Sequence, residues 1–208
     1  MKYIKKIPTS DKELSNKLIS EGWKKLKEPS NLGMATLLSI PFAFINGIIF
    51  MVLVFYLYPP LKEFLNSNKD GFSITITLGK NLFALIMHIV TIFIFMAIHE
   101  FLHAFFIPNV LKSDKIYWGI NAFFGFVYTT EKIKKSRFLI ISIMPFIMLS
   151  VILPFILNIF GWLNGFTIFL CLINAMASCV DCLNICLVGI QVPNGSYVMN
   201  NGFETYFK

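Results

Sequence analysis

Ala97-Ile98-His99-Glu100-Phe101-Leu102-His103-Ala104-Phe105 sets three ionisable side chains inside an otherwise apolar run from Leu82 to Pro108. A charged residue at the centre of a bilayer costs about 2.5–3.5 kcal/mol on insertion scales, so such a cluster in a membrane-length segment marks a functional site. On a helix, positions i and i+4 share a face. His99 and His103 can therefore offer two imidazoles to one metal ion, with Glu100 beside them to take a proton from water. The pattern is H-E-x-x-H, the spacing used by zinc-dependent proteases. A lone buried histidine is ordinarily a hydrogen-bonded core residue. The four-residue spacing, the acid between the two histidines and the apolar surroundings together favour metal binding here.

Composition agrees with a membrane setting. Of 208 residues 56 % are hydrophobic and 14 % charged, and the mean hydropathy is +0.71. That is too apolar for a soluble domain of this size. Of eleven acids, only Glu100 and Asp181 lie deep in apolar segments. The net charge of +7 comes from lysines beside hydrophobic segments, which read as topology signals and contacts to an anionic lipid bilayer rather than to nucleic acid. Seventeen lysines against one arginine point to an AT-rich bacterial genome. Cys171, Cys179, Cys182 and Cys186 fall in one apolar segment. They read as packing residues rather than a disulfide framework or a redox C-x-x-C.

Four segments reach spanning length, about 33–58, 81–107, 138–160 and 162–188. The expected fold class is an all-α integral membrane protein of four transmembrane helices, with a short interfacial β-hairpin after the second. Pro41, Pro145 and Pro154 imply kinks. Residues 1–32 read as a basic amphipathic tail lying on the lipid surface. Ser10 and Glu13 suggest a capping box, and Leu14, Leu18, Trp23 and Leu26 share a face. No small-residue cleavage site occurs, so nothing is expected to be removed. Residues 191–208 form a second tail. The N-terminal tail has eight lysines, the 59–80 loop three, and the 108–137 loop five plus Arg137. This asymmetry puts both termini and the 108–137 loop in the cytoplasm, and the metal motif in the inner half of the second span.

Between Ile116 and Thr130 the aromatic and β-branched residues around Gly119 and Gly125 read as a hairpin. Its open edge, near Gly125 and Phe126, is suited to hold an extended peptide by strand addition, and an aromatic belt anchor is the other reading. In the last span, Asn174, Ser178 and Asp181 lie along one face. Catalytic zinc sites use three protein ligands and an open fourth position, which makes Asp181 the leading third ligand. Asn174 and Ser178 are read as orienting the substrate or as packing hydrogen bonds. His88 lies on nearly the same face as His99.

With these residues placed, the chain resembles the zincin-peptidase group of small bacterial membrane proteins related to the site-2 proteases. His99-Glu100-Phe101-Leu102-His103, the 115–130 hairpin, and Asn174 with Asp181 carry the resemblance, over about residues 80–200. The usual Asn-x-x-Pro and Leu-Asp-Gly patterns are replaced by Asn174 without a following proline and by Val180-Asp181-Cys182. The resemblance implies an intramembrane endopeptidase with one zinc ion on His99, His103 and Asp181. Glu100 would be the base, and the substrate a membrane protein or hydrophobic peptide. Two alternatives stay open: a cytosol-facing zincin with Glu131 as third ligand, and a non-catalytic metal carrier or membrane scaffold.

Overall fold

The computed structural model describes residues 1–66, 82–120 and 125–208. Most of the 59–80 loop, and the hairpin turn at 121–124, lie outside the described residues. Four helical runs are long and apolar enough to cross a membrane: Leu32–Leu57, Leu82–Phe106, Lys135–Ile159 and Gly165–Gln191. At 1.5 Å per residue, runs of 25 to 27 residues span roughly 37–40 Å, against about 30 Å of bilayer hydrocarbon.

The first run, α2, is continuous through Pro41. After the short helix α3 (Pro59–Asn66) comes α4 (Leu82–Phe106), which carries the histidine pair. The third run is interrupted. α5 (Lys135–Pro145) gives way to a π-helical stretch over Phe146–Ile152 before α6 (Leu153–Ile159). Proline is the physical reason. Pro145 has no N–H for the Ile141 carbonyl one turn earlier, and its ring crowds that carbonyl, so the helix cannot run on unchanged. The fourth run breaks at Ser178 into α7 (Gly165–Ala177) and α8 (Cys179–Gln191). α2 packs on α7 and α8, and α4 packs on α5. Buried polar groups join the helices: Asn46 on α2 donates to the Ala175 carbonyl (3.1 Å), and the Ser39 hydroxyl meets Cys179 Sγ (3.2 Å). The four cysteines are free.

The all-α expectation needs correction, because the tails and hairpin build two sheets. β3 (Ile116–Ile120) and β4 (Gly125–Thr129) form the hairpin, and β1 (Lys2–Tyr3) pairs in parallel with the outer edge of β3, giving the order β1-β3-β4. The second sheet runs β2-β7-β6-β5, from Lys24–Lys25, Glu204–Phe207, Tyr197–Asn201 and Ile133–Lys134. The N-terminal helix α1 (Lys12–Ser20) is capped by Asp11, whose side chain accepts from the Glu13 and Leu14 amides, rather than by Ser10. Its apolar face does not lie open for lipid. Leu18 and Trp23, with Leu14, pack on Met199 and Tyr206. Leu26 joins Val188, Val192 and Val198, which seats the terminal cap on the ends of α5 and α8. Both tails and the hairpin thus gather at one end of the bundle. There Lys135, nearly enclosed, donates to the carbonyls of Gly189 and Val192 and to Asn194 Oδ1, closing the C-terminal end of α8.

Asn201 brackets the Asp11 backbone, accepting from its N–H (3.0 Å), donating to its carbonyl (2.8 Å) and reaching Ser15 Oγ (2.9 Å). Asn201→Ala removes three hydrogen bonds, a loss of about 2–3 kcal/mol. Trypsin should then cut at lysines within residues 1–31 at far lower enzyme doses than in the wild type, with helical circular dichroism unchanged. Unaltered protection would show that the N-terminal segment is held by something other than this cap.

Candidate metal centre

His99 and His103 occupy adjacent turns of α4, with their rings 5.0 Å apart and nearly perpendicular. Asp181, in the first turn of α8, brings one carboxylate oxygen to 3.4 Å from His99 Nε2 and the other to 3.3 Å from His103 Nε2. One donor atom from each of the three lies within 4.8 Å of the others. Atoms bound 2.0–2.2 Å from a tetrahedral ion stand about 3.3–3.6 Å apart. Direct imidazolium–carboxylate hydrogen bonds are shorter, about 2.7–2.9 Å. The three side chains gather closely enough that they could hold a shared cation, and the donor set of two imidazoles and one carboxylate is one that zinc accepts.

What aims the imidazoles lies behind them. His99 Nδ1 is 2.8 Å from Asn174 Oδ1, and His103 Nδ1 is 2.9 Å from the Ile141 carbonyl. A carbonyl only accepts, so His103 carries a proton on Nδ1, which turns Nε2 toward the centre. For His99 the same conclusion takes one more step. Asn174 directs its other amide atom at the Pro145 carbonyl (3.2 Å) and at Ser150 Oγ (2.7 Å), and the Ser150 hydroxyl itself donates to the Cys171 carbonyl (2.9 Å). The Pro145 carbonyl requires a donor, so that atom is the NH2 group. Oδ1 must then face His99, and His99 must donate from Nδ1. Pro145 serves both histidines. Its missing N–H leaves the Ile141 carbonyl for His103, and its own carbonyl fixes the Asn174 amide.

Asn174 and Ser178 are fully enclosed, and their polar atoms are taken up inside the protein, Ser178 Oγ by the Asn174 carbonyl at 2.9 Å. They stand behind the metal group, held by packing hydrogen bonds. Glu131 does not join the metal group. Its carboxylate takes the Ser113 hydroxyl at 2.6 Å, and the group found among the described residues is His99, His103 and Asp181. His88 sits eleven residues before His99, roughly 16 Å along the helix, with its ring edge-on to Phe166 at 4.3 Å.

Glu100 faces β4. A Cβ on Gly125 would come 2.7 Å from Glu100 Cγ, closer than any real side chain can sit, so glycine is what lets the strand lie against the acid. The ladder pattern says which groups of β4 are turned that way. Thr130 N–H bonds the Lys115 carbonyl at 3.2 Å, and antiparallel pairs alternate between bonded and unbonded. In the observed register, Trp118 opposite Val127 and Ile120 opposite Gly125 are then unbonded pairs. The main-chain groups of Gly125 and Val127 point away from β3, on the strand that lies against Glu100 at Gly125. Phe126 turns to the opposite face, its ring over Gly119.

Sequence reasoning missed Pro145 and Ser150 as parts of the centre. The signal was present: a proline at position i strips the donor from the carbonyl at i−4, and position 141 lies beside the histidines. Pro145→Ala restores a competing helical N–H, and Asn174→Leu removes the acceptor behind His99. Each should weaken zinc binding about 10-fold to 100-fold with helix content retained, measured by competition with a chromogenic chelator. Affinities within twofold of wild type for both would rule out this orienting role.

A family model described as Putative zincin peptidase matches residues 92–197, just over half of the chain. The match takes in the metal group, Glu100, both strands of the hairpin and the π-helical stretch. No curated protein and no solved structure matches the chain at the significance required.

Proposed function

We propose a zinc-dependent endopeptidase activity for this chain, which belongs to the Putative zincin peptidase family. The reaction would be of the site-2 kind, cutting transmembrane segments or hydrophobic peptides close to the cytoplasmic face. The observation that carries this reading is the free edge of β4 laid against Glu100 at Gly125, beside a three-ligand group.

The helices and the lysines support this position. The end of the bundle that gathers both tails and the hairpin holds the lysine-rich segments, whereas the 59–80 connection has three lysines. The positive-inside rule makes the gathered end cytoplasmic. His103 and His99 lie three and seven residues before the end of α4 at Phe106, roughly 5–10 Å deep. Water reaches that depth from the cytoplasmic side.

His99, His103 and Asp181 would hold one zinc ion and leave a fourth position open. When bound, zinc polarises a carbonyl and acidifies water. Glu100 takes the proton from the attacking water and passes it to the leaving amine. The peptide needs to be extended first, because helical amides are shielded by their own hydrogen bonds. The outward N–H and C=O groups of Gly125 and Val127 give an extended segment a strand to pair with. Pairing there sets the scissile bond beside Glu100, and Gly125 leaves room for the approach.

Three variants of the protein purified in detergent test the reading, with a transmembrane peptide as substrate. Glu100→Gln should keep its zinc and lose about 10²-fold to 10⁴-fold in cleavage rate. Asp181→Asn should bind zinc more weakly, whereas Glu131→Gln should leave zinc binding intact. Gly125→Ala should keep zinc and lose most cleavage, since the added methyl drives β4 and Glu100 apart. Cleavage by Glu100→Gln at the wild-type rate would overturn the mechanism.

A further inference from the structure

β4 is an edge strand of five residues, and a hairpin alone is marginally stable in water. Its spacing from Glu100 is nonetheless tight enough to exclude a methyl group, so something outside the hairpin holds it. On its inner face Val127 packs into the cluster of Ile107, Ile116, Ile133 and Ile141. On its outer face Tyr128, 6 % exposed, reaches away from the metal centre, and its phenol oxygen accepts the Gly202 N–H at 2.8 Å.

Gly202 belongs to the turn between β6 and β7, with φ +63°. A Cβ there would come within 2.6 Å of Ser10 N and 2.7 Å of the Pro8 carbonyl, so residues 8–10 lie directly across the turn. That segment is tied at both ends. Asn201 holds Asp11 on one side, and on the other the Ile4 N–H bonds the Trp118 carbonyl at 2.9 Å, which joins β1 to β3. The contacts close a ring: β4 to Gly202, Gly202 to residues 8–10, these to β1, β1 to β3, and β3 back to β4.

We infer that Tyr128 is a positioning residue, which sets the height of the free β4 edge over Glu100 by anchoring the strand to the joined termini. The inference rests on the reading of β4 as the edge that pairs with peptide. Strand addition needs the β4 edge at a fixed height for its N–H and C=O groups to pair with a peptide, and the Tyr128 contact with the Gly202 N–H spans from the strand to the terminal cap.

Tyr128→Phe tests this by removing one oxygen and keeping the ring. Amide hydrogen exchange on the detergent-solubilised protein should quicken about fivefold to tenfold at Phe126 and Tyr128, whose N–H groups bond to β3, with α4 unchanged. Gly202→Ala keeps the N–H but drives the turn off residues 8–10, and should quicken exchange at the same β4 amides from the other side of the contact. On a peptide substrate, Tyr128→Phe should raise KM by a similar factor, with kcat within twofold and zinc content retained. Exchange within twofold of wild type in both variants overturns the anchor. Faster exchange with unchanged KM in an active enzyme overturns the positioning role. If the wild type cleaves no peptide, the peptidase reading fails, while the exchange measurement still decides whether Tyr128 holds β4.

Discussion

An imidazole enclosed in an apolar bundle has two ring nitrogens, and neither is left without a partner at tolerable cost. The metal centre depends on how the second nitrogen of each histidine is answered. The answer comes from backbone and amide groups that ordinary helices would have used up. Pro145 makes them available. By breaking the ladder of the third helical run it leaves one carbonyl for His103 and supplies another to Asn174, which turns to His99. The π-helical stretch that follows brings Ser150 to Asn174. A feature that would be a defect in a simple spanning helix is the support of the site.

The same accounting explains the sheets. Strand edges carry unpaired N–H and C=O groups, and an uncovered edge invites pairing with any extended chain. β1 covers the outer edge of β3, and the C-terminal hairpin is flanked by β2 and β5. The edge of β4 is treated differently. It faces a carboxylate instead of a strand, and a glycine keeps it close.

The helices and the histidine pair were legible in the sequence because both obey short periodicities: twenty or so apolar residues for a span, and four residues for a shared helix face. Asp181 was legible for a related reason, as the one acid in the last apolar run, where it needed a partner. The two sheets were not. β1 and β2 are two residues each, too short for alternation to show, and their partners are distant in the chain. α1 shows the limit of local pattern. Its apolar stripe was real, but a stripe does not say whether lipid or protein covers it, and the strands that cover it lie about 180–190 residues away. Asn174 was singled out for its polarity, but its sequence position alone does not say that its amide meets His99, Pro145 and Ser150.

The order of these elements bears on how tightly a metal can be held. A site assembled only when the ion arrives loses part of its binding energy to ordering side chains, and a site already assembled does not. Here each ligand is set by something other than the ion. His103 is fixed by a backbone carbonyl and His99 by an amide whose own orientation is fixed. Asp181 sits in the first turn of α8, where the break at Ser178 turns the positive end of a helix toward the carboxylate. The break in the fourth run and the break in the third are therefore complementary. One places a negative charge between two imidazoles, and the other keeps both Nε2 atoms aimed at it. An uninterrupted helix in either place would still cross a bilayer, but the three donors would no longer converge.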